Sequence, residues 1–146
     1  FFGSFLERSL GPGLFLVLYF GSELAAHGLS LVLNRDDPHY SAIGASGAVS
    51  GVVFSFCLFR PFAMLGVFFV IPMPAIVFAV LYVVGSIYAL NRDEEPGGMG
   101  GSRGGGIAHE AHLGGAIGGL VLTIILEPRA IPTFVREVQA LLGAVL

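Results

Sequence analysis

A serine and a histidine, each in a glycine-rich setting, are the residues of this chain best suited to chemistry. Ser46 lies in the run Gly-Ala-Ser-Gly (residues 44–47), and His112 lies in the run Ala-His-Leu-Gly-Gly (residues 111–115). A serine hydroxyl is a weak nucleophile until a base takes its proton. Histidine suits that role because its unperturbed pKa lies near neutrality. The two residues therefore predict nucleophilic catalysis, provided that two structural elements bring the side chains within hydrogen-bond distance.

Both residues stand near the start of a long apolar segment, which predicts two helices over residues 44–60 and 107–126. Helix axes usually lie about 8–10 Å apart, so a contact between these side chains requires small residues where the helices cross. Glycines four residues apart allow membrane helices to approach closely. Such pairs occur in both segments: Gly47 with Gly51, and Gly115 with Gly119.

The composition predicts that these helices cross a membrane. Of the 146 residues 55% are hydrophobic and 12% are charged, whereas soluble domains have about 25% charged residues. The mean hydropathy is +0.86. A span needs about 20 apolar residues, and residues 12–33 and 74–90 provide two further candidates. We therefore expect an all-α, polytopic membrane bundle with about four transmembrane helices.

The segments between the spans give weaker signals. Residues 1–11 are expected to be the tail of a helix and its exit, and residues 62–73 are expected to lie at the membrane interface or to extend a helix briefly. The glycine-rich loop 91–106 is expected to be either a mobile gate or a passive linker. Residues 129–146 show helical spacing of apolar positions, which predicts an amphipathic helix after a transmembrane domain over residues 1–128.

Charge predicts the orientation and excludes one class of partner. The chain has seven arginines and no lysine, without the clustered basic face that nucleic-acid binding requires. Four arginines fall on the side of residues 1–11 and three on the other side, so the positive-inside rule places the former in the cytoplasm. Ser46 and His112 then lie roughly 5–10 Å below the outer surface, by a rise of about 1.5 Å per residue. The expected location is a cell membrane, specifically the bacterial inner membrane.

The two glycine-rich motifs resemble those of the rhomboid family of intramembrane serine proteases, in which GxSG and AHxxG motifs hold a Ser/His dyad. The resemblance implies that Ser46 is the nucleophile, that His112 is the general base, and that the substrates are transmembrane segments of membrane proteins. It implies no cofactor and no metal. The backbone N–H of Ser46, at a helix N-terminus and supported by Gly44 and Gly47, would help to hold the oxyanion.

The resemblance covers most of the chain, with two departures. The His and Asn on the family's second core helix, which complete the oxyanion hole, have no counterpart after Phe1. The chain is therefore expected to be a fragment of a longer protein. This fragment is expected to lack the first two core helices and to be inactive alone. In many members the residue four positions after the nucleophile is aromatic and packs on the histidine. Here that residue is Ser50, so the imidazole must be oriented in another way.

Two alternative functions stay open at this stage. A non-proteolytic rhomboid-like protein would bind transmembrane clients, although relatives of that kind typically lack the dyad. A proton-coupled transporter using Glu23, His27 and His112 would show inverted repeats, and the sequence shows none. Glu23 and His27, four residues apart, are interpreted as a structural pair or as a proton relay.

A metal site is the remaining alternative for the histidine segment. His109, Glu110 and His112 resemble a metalloprotease motif, but HExxH requires its second histidine where Leu113 stands. The simpler interpretation is that His109 and Glu110 lie near the membrane interface. We therefore predict no metal, with zinc bound by these three residues as the less favoured hypothesis.

Overall fold

The computed structural model describes residues 2–36, 44–67, 71–93 and 109–145. These ranges contain six helices and one pair of strands. The helices are α1 (Phe2–Leu10), α2 (Pro12–Leu33), α3 (Ser46–Phe59), α4 (Ala75–Asp93), α5 (His109–Leu126) and α6 (Ala130–Val145), and the strands β1 (Met64–Val67) and β2 (Ile71–Pro74) lie between α3 and α4. The loop predicted to be a gate or a passive linker lies outside the described residues from residue 94 onward.

Helices α2, α3 and α5 form the centre of the bundle, because their mutual contacts are the most extensive in the described chain. Glycines on two faces of α5 explain this arrangement. A methyl group added at Gly114 or Gly118 would meet α2, at Ala25 in both cases. A methyl group added at Gly115 or Gly119 would meet the backbone of α3. Helix α5 is therefore in close contact with one neighbour on each side.

The outer surface of this bundle is apolar, as a lipid environment requires. Large apolar side chains point outward from α2, α4 and α5; Leu24 is 74% exposed and Ile125 is 66% exposed. Helices α2 and α5 are long and apolar enough to cross a membrane, whereas α3 and the apolar part of α4 are shorter. Polar residues are instead buried between the helices, among them Ser22, Ser55 and Thr123. This inside-out distribution of polarity is that of a membrane bundle.

The connection between α3 and α4 differs from one of the two expectations drawn from the sequence. Strands β1 and β2 pair antiparallel, with Met64 opposite Pro74 and Val67 opposite Ile71, so the interpretation as a brief helix extension was wrong. Pro72 and Pro74 exclude a helix interior because proline lacks the backbone N–H. Proline is tolerated at strand edges, and a two-stranded ribbon has an edge on both sides.

Helix α6 follows the bundle, and its buried and exposed residues lie on different sides of the helix. Ala130 is fully buried where the helix begins, and the half-buried Phe134 reaches the apolar space beside α3. Val135 and Leu142 are exposed on other faces of the helix. The helix therefore contacts the bundle along one side and offers apolar residues to its surroundings along another.

Candidate active site

Ser46 is the first residue of α3 and is exposed. Gly44, two residues earlier, has a φ of 130°, a conformation that residues with a Cβ rarely adopt. The glycine thus allows the chain to turn sharply into the helix. The residue at the N-cap is Ala45, whose side chain makes no capping hydrogen bond. The first N–H groups of a helix have no partner within the helix and carry a partial positive charge, so Ser46 lies at an electropositive end.

His112 lies in the first turns of α5 and is half-buried. Its imidazole ring packs against the phenol ring of Tyr82 on α4, with centroids 6.3 Å apart and planes inclined by 43°. The Tyr82 hydroxyl lies 2.7 Å from Ser50 Oγ, and the Ser50 hydroxyl donates to the Ser46 carbonyl oxygen at 3.0 Å. A continuous set of contacts therefore joins the backbone of Ser46 to the ring of His112.

The two motif helices touch through their backbones. A Cβ added at Gly115 would overlap the Gly47 carbonyl oxygen, and a Cβ added at Gly119 would overlap the backbone of Gly51. A Cβ at Gly47 would lie 3.4 Å from the Ala111 carbonyl oxygen. Ser46 directly precedes Gly47, and His112 directly follows Ala111. The serine and the histidine consequently flank the point where α3 and α5 cross.

Within the described ranges, no hydrogen bond joins the Ser46 side chain to the His112 ring. Catalytic hydrogen bonds are often long or poorly aligned in an enzyme without substrate and shorten when substrate is bound. The crossing brings the two residues into the same part of the bundle.

Glu23 on α2 contacts the N-terminus of the serine helix. Its Oε2 accepts a hydrogen bond from the backbone N–H of Ala48 at 2.6 Å, and its Oε1 lies 3.4 Å from His27 Nδ1. A carboxylate stabilises a helix N-terminus through both the hydrogen bond and the helix dipole. Sequence reasoning found the pair of Glu23 and His27 but missed its link to α3, because 25 residues separate Glu23 from Ala48.

A second polar layer joins α3 and α5 further along the helices. Thr123 Oγ1 lies 2.7 Å from Ser55 Oγ, and the Ser55 hydroxyl lies 2.7 Å from the Gly51 carbonyl oxygen. Both residues are fully buried. Hydrogen bonds between buried hydroxyls hold membrane helices together where lipid offers no alternative partner, so this layer fixes the two helices along their length.

The residues of the metal alternative have structural surroundings. Glu110 is buried, and its Oε1 accepts a hydrogen bond from Asn34 Nδ2 at 3.3 Å, which ties the start of α5 to the end of α2. His109 is half-buried. No three His, Cys, Asp or Glu side chains converge on a common point in the part of the chain that the structure describes.

Comparison with known protein families decides the classification. The model of the Rhomboid domain matches residues 1–129 of this chain. The chain belongs to the rhomboid family. The family and the rhomboid-like helical membrane bundle predicted from the sequence are thereby confirmed. Among the curated proteins and among the solved structures, none matches the chain.

One departure from the rhomboid pattern gains a structural explanation. Ser50 occupies the position where many members carry an aromatic residue, and here an aromatic ring reaches His112 from α4 instead. The hydroxyl of Ser50 binds the hydroxyl of that same Tyr82. The sequence offered no signal for this contact, since 30 positions separate Tyr82 from His112 and no motif connects them.

Proposed function

We propose that this rhomboid is an intramembrane serine endopeptidase that cleaves transmembrane segments of membrane proteins. The observation that carries the proposal is the backbone contact between Gly47 and Gly115. Through this contact the beginning of α3, where Ser46 lies, packs against the first turns of α5, where His112 lies. A pair held only for packing would require the glycines but neither the hydroxyl nor the imidazole.

The proposed reaction begins when the Ser46 oxygen attacks the scissile carbonyl carbon while His112 takes the hydroxyl proton. The N–H groups of the first turn of α3, those of Ser46 and Gly47, stabilise the resulting oxyanion. His112 then gives the proton to the leaving amine, and the acyl-enzyme forms. A water molecule, activated by the same imidazole, hydrolyses the acyl-enzyme and restores the serine.

The exposure of Ser46 supports the hydrolytic step because the described part of the bundle does not bury the serine. The apolar outer faces of α2 and α4 support a substrate that arrives from the lipid bilayer. We further propose a multi-pass location in a cell membrane, that of the bacterial inner membrane. The motif ends of α3 and α5 would face outward, in agreement with the distribution of arginines.

The test is cleavage of a model transmembrane substrate by the protein at its natural full length, reconstituted in liposomes. We expect Ser46→Ala and His112→Ala each to lower the rate by at least about 10³-fold, because the two residues act as one unit. The matched controls are Ser9→Ala, an exposed serine on α1, and His109→Ala, a half-buried histidine one turn before His112. Both controls should retain activity.

Undiminished cleavage by either the Ser46 or the His112 variant would refute the assignment. A wild-type protein that binds transmembrane peptides but cleaves none would favour the client-binding alternative. Thermal stability is measured in parallel, so that loss of folding is not mistaken for loss of chemistry.

A further inference from the structure

Helix α4 is separated from part of the bundle by an apolar cleft. The cleft has a volume of about 340 Å³ and is lined by side chains of α3, α4, α5 and α6, among them Leu58, Ile76, Val83 and Leu120. Tight packing therefore does not fix the side chains of α4 along this stretch. A residue of α4 that must hold a fixed position needs a directional contact of its own.

Tyr82 has such a contact. Its hydroxyl lies 2.7 Å from Ser50 Oγ, and Ser50 is only 7% exposed. Because the single hydroxyl proton of Ser50 goes to the Ser46 carbonyl oxygen, the Tyr82 hydroxyl is the donor in the pair. The Tyr82 ring also packs edge-on against Phe54 at 5.3 Å between centroids. These contacts fix both ends of the tyrosine side chain.

The ring so fixed lies beside the imidazole of His112, with 6.3 Å between centroids. This separation is within the range of attractive aromatic pairs, about 4.5–7 Å. An imidazole on a helix can rotate about two side-chain bonds, and a ring against one face limits that rotation. The same tyrosine thus contacts the residue proposed as base and, through Ser50, the backbone of the residue proposed as nucleophile.

We propose that Tyr82 is the positioning residue of His112 and that Ser50 holds Tyr82 in place. The inference rests on the proposed function, since it assigns an orienting group to the base of that reaction. Tyr82 itself touches neither the scissile bond nor the leaving group. Its effect is on the fraction of molecules in which the imidazole points at Ser46.

The proposal predicts a graded series of rates in the full-length protein. Tyr82→Ala removes the ring, and a misdirected catalytic group costs up to about 10²-fold, so kcat should fall about 10- to 100-fold. Tyr82→Phe and Ser50→Ala keep the ring but remove the hydrogen bond, and kcat should fall about 2- to 10-fold. KM for the transmembrane substrate should change less than about twofold, because none of these variants alters substrate binding.

The most specific test moves the aromatic ring from α4 to α3. In the double variant Ser50→Tyr with Tyr82→Ala, the space vacated by the removed ring admits a tyrosine at position 50, one helical turn after Ser46. We expect this double variant to recover at least about tenfold of the lost kcat. A tyrosine that acts merely by holding α4 in place would not be replaced by a ring carried on α3. Tyr88→Ala removes a tyrosine that is 61% exposed on the same helix and is the matched control.

Labelling of Ser46 by a small fluorophosphonate gives the second measurement, because it reports the reactivity of the serine without a transmembrane substrate. Labelling should slow in parallel with kcat in the Tyr82 and Ser50 single variants. Unchanged labelling, or a loss confined to KM, would overturn the positioning role. If Tyr82→Ala does not fold, the Tyr82→Phe and Ser50→Ala variants decide the question alone.

The outcomes separate this inference from the proposed function. A wild-type protein that neither labels nor cleaves would refute the proposed function. A wild-type protein that is active, with Tyr82 variants that are equally active, would refute this inference alone.

Discussion

The contact between Gly115 and Gly47 offers the most direct test of how the fold serves the reaction. Alanine at position 115 adds one methyl group, and that group would overlap the carbonyl oxygen and the backbone of Gly47. No side-chain rotation can relieve a collision with backbone atoms. Helices α3 and α5 must therefore move apart at the crossing that Ser46 and His112 flank.

The expected magnitudes separate activity from stability. Overpacking a well-packed interface costs about 1–3 kcal/mol, while replacing glycine by alanine inside a helix gains about 1 kcal/mol. The net loss of stability for Gly115→Ala is then about 0–2 kcal/mol. A displacement of about 1 Å between catalytic groups costs up to about 10²-fold in rate. The variant should thus remain folded and lose up to about 99% of its activity.

Cleavage rate and thermal stability are measured together on the full-length protein, with Gly85→Ala as the matched control. Gly85 is also a helical glycine, on α4, and a methyl group there would have nothing within 4 Å. The control should gain slightly in stability and keep its activity. The reasoning is refuted if Gly115→Ala cleaves as fast as the wild type, or if Gly85→Ala loses activity to the same extent.

Two further variants test the polar contacts that hold the motif helices. Glu23→Ala should lower thermal stability by about 1–3 kcal/mol, because the N–H of Ala48 loses its charged partner. Glu23→Gln keeps an acceptor and should retain at least half of that contribution. Equal losses in both variants would show that α3 needs the charge and not the acceptor. Thr123→Val keeps the shape but removes the hydroxyl beside Ser55, which keeps its hydrogen bond to the Gly51 carbonyl oxygen. The melting temperature should therefore fall by the equivalent of about 0.5–1.5 kcal/mol while KM stays constant, and an unchanged melting temperature would contradict a stabilising role.

The parts of this structure that depend on local sequence pattern could be predicted from the sequence. Glycine spacing reports which face of a helix can approach another backbone, and Gly115 and Gly119 do face α3. Apolar length predicted helices, and Pro72 and Pro74 exclude a helix interior in the connection between α3 and α4. The strand pairing of that break could not be predicted, because proline excludes a helix without specifying a partner strand.

Contacts between side chains that are far apart in the sequence could not be predicted. Glu23 looked like half of a local pair with His27, and its hydrogen bond to Ala48 depends on how α2 and α3 pack. Tyr82 looked like one more aromatic residue in an apolar span. The role proposed for it rests on a single hydrogen bond to Ser50 and a ring contact with His112, and neither contact has a signature at fixed spacing.

Two things must be fixed in the candidate site, the positions of the α-carbons and the rotation of the imidazole, and different contacts fix them. Backbone contacts at Gly47 and Gly115 fix where the α-carbons of the serine and histidine helices lie, and such contacts tolerate no added atom. They leave the rotation of the imidazole undetermined, because a glycine contact places no restraint on a neighbouring side chain. That restraint has to come from another side chain, and Tyr82 on α4 is in position to supply it. A motion of α4 away from α3 would consequently disturb the orientation of the His112 ring while leaving the helix crossing intact.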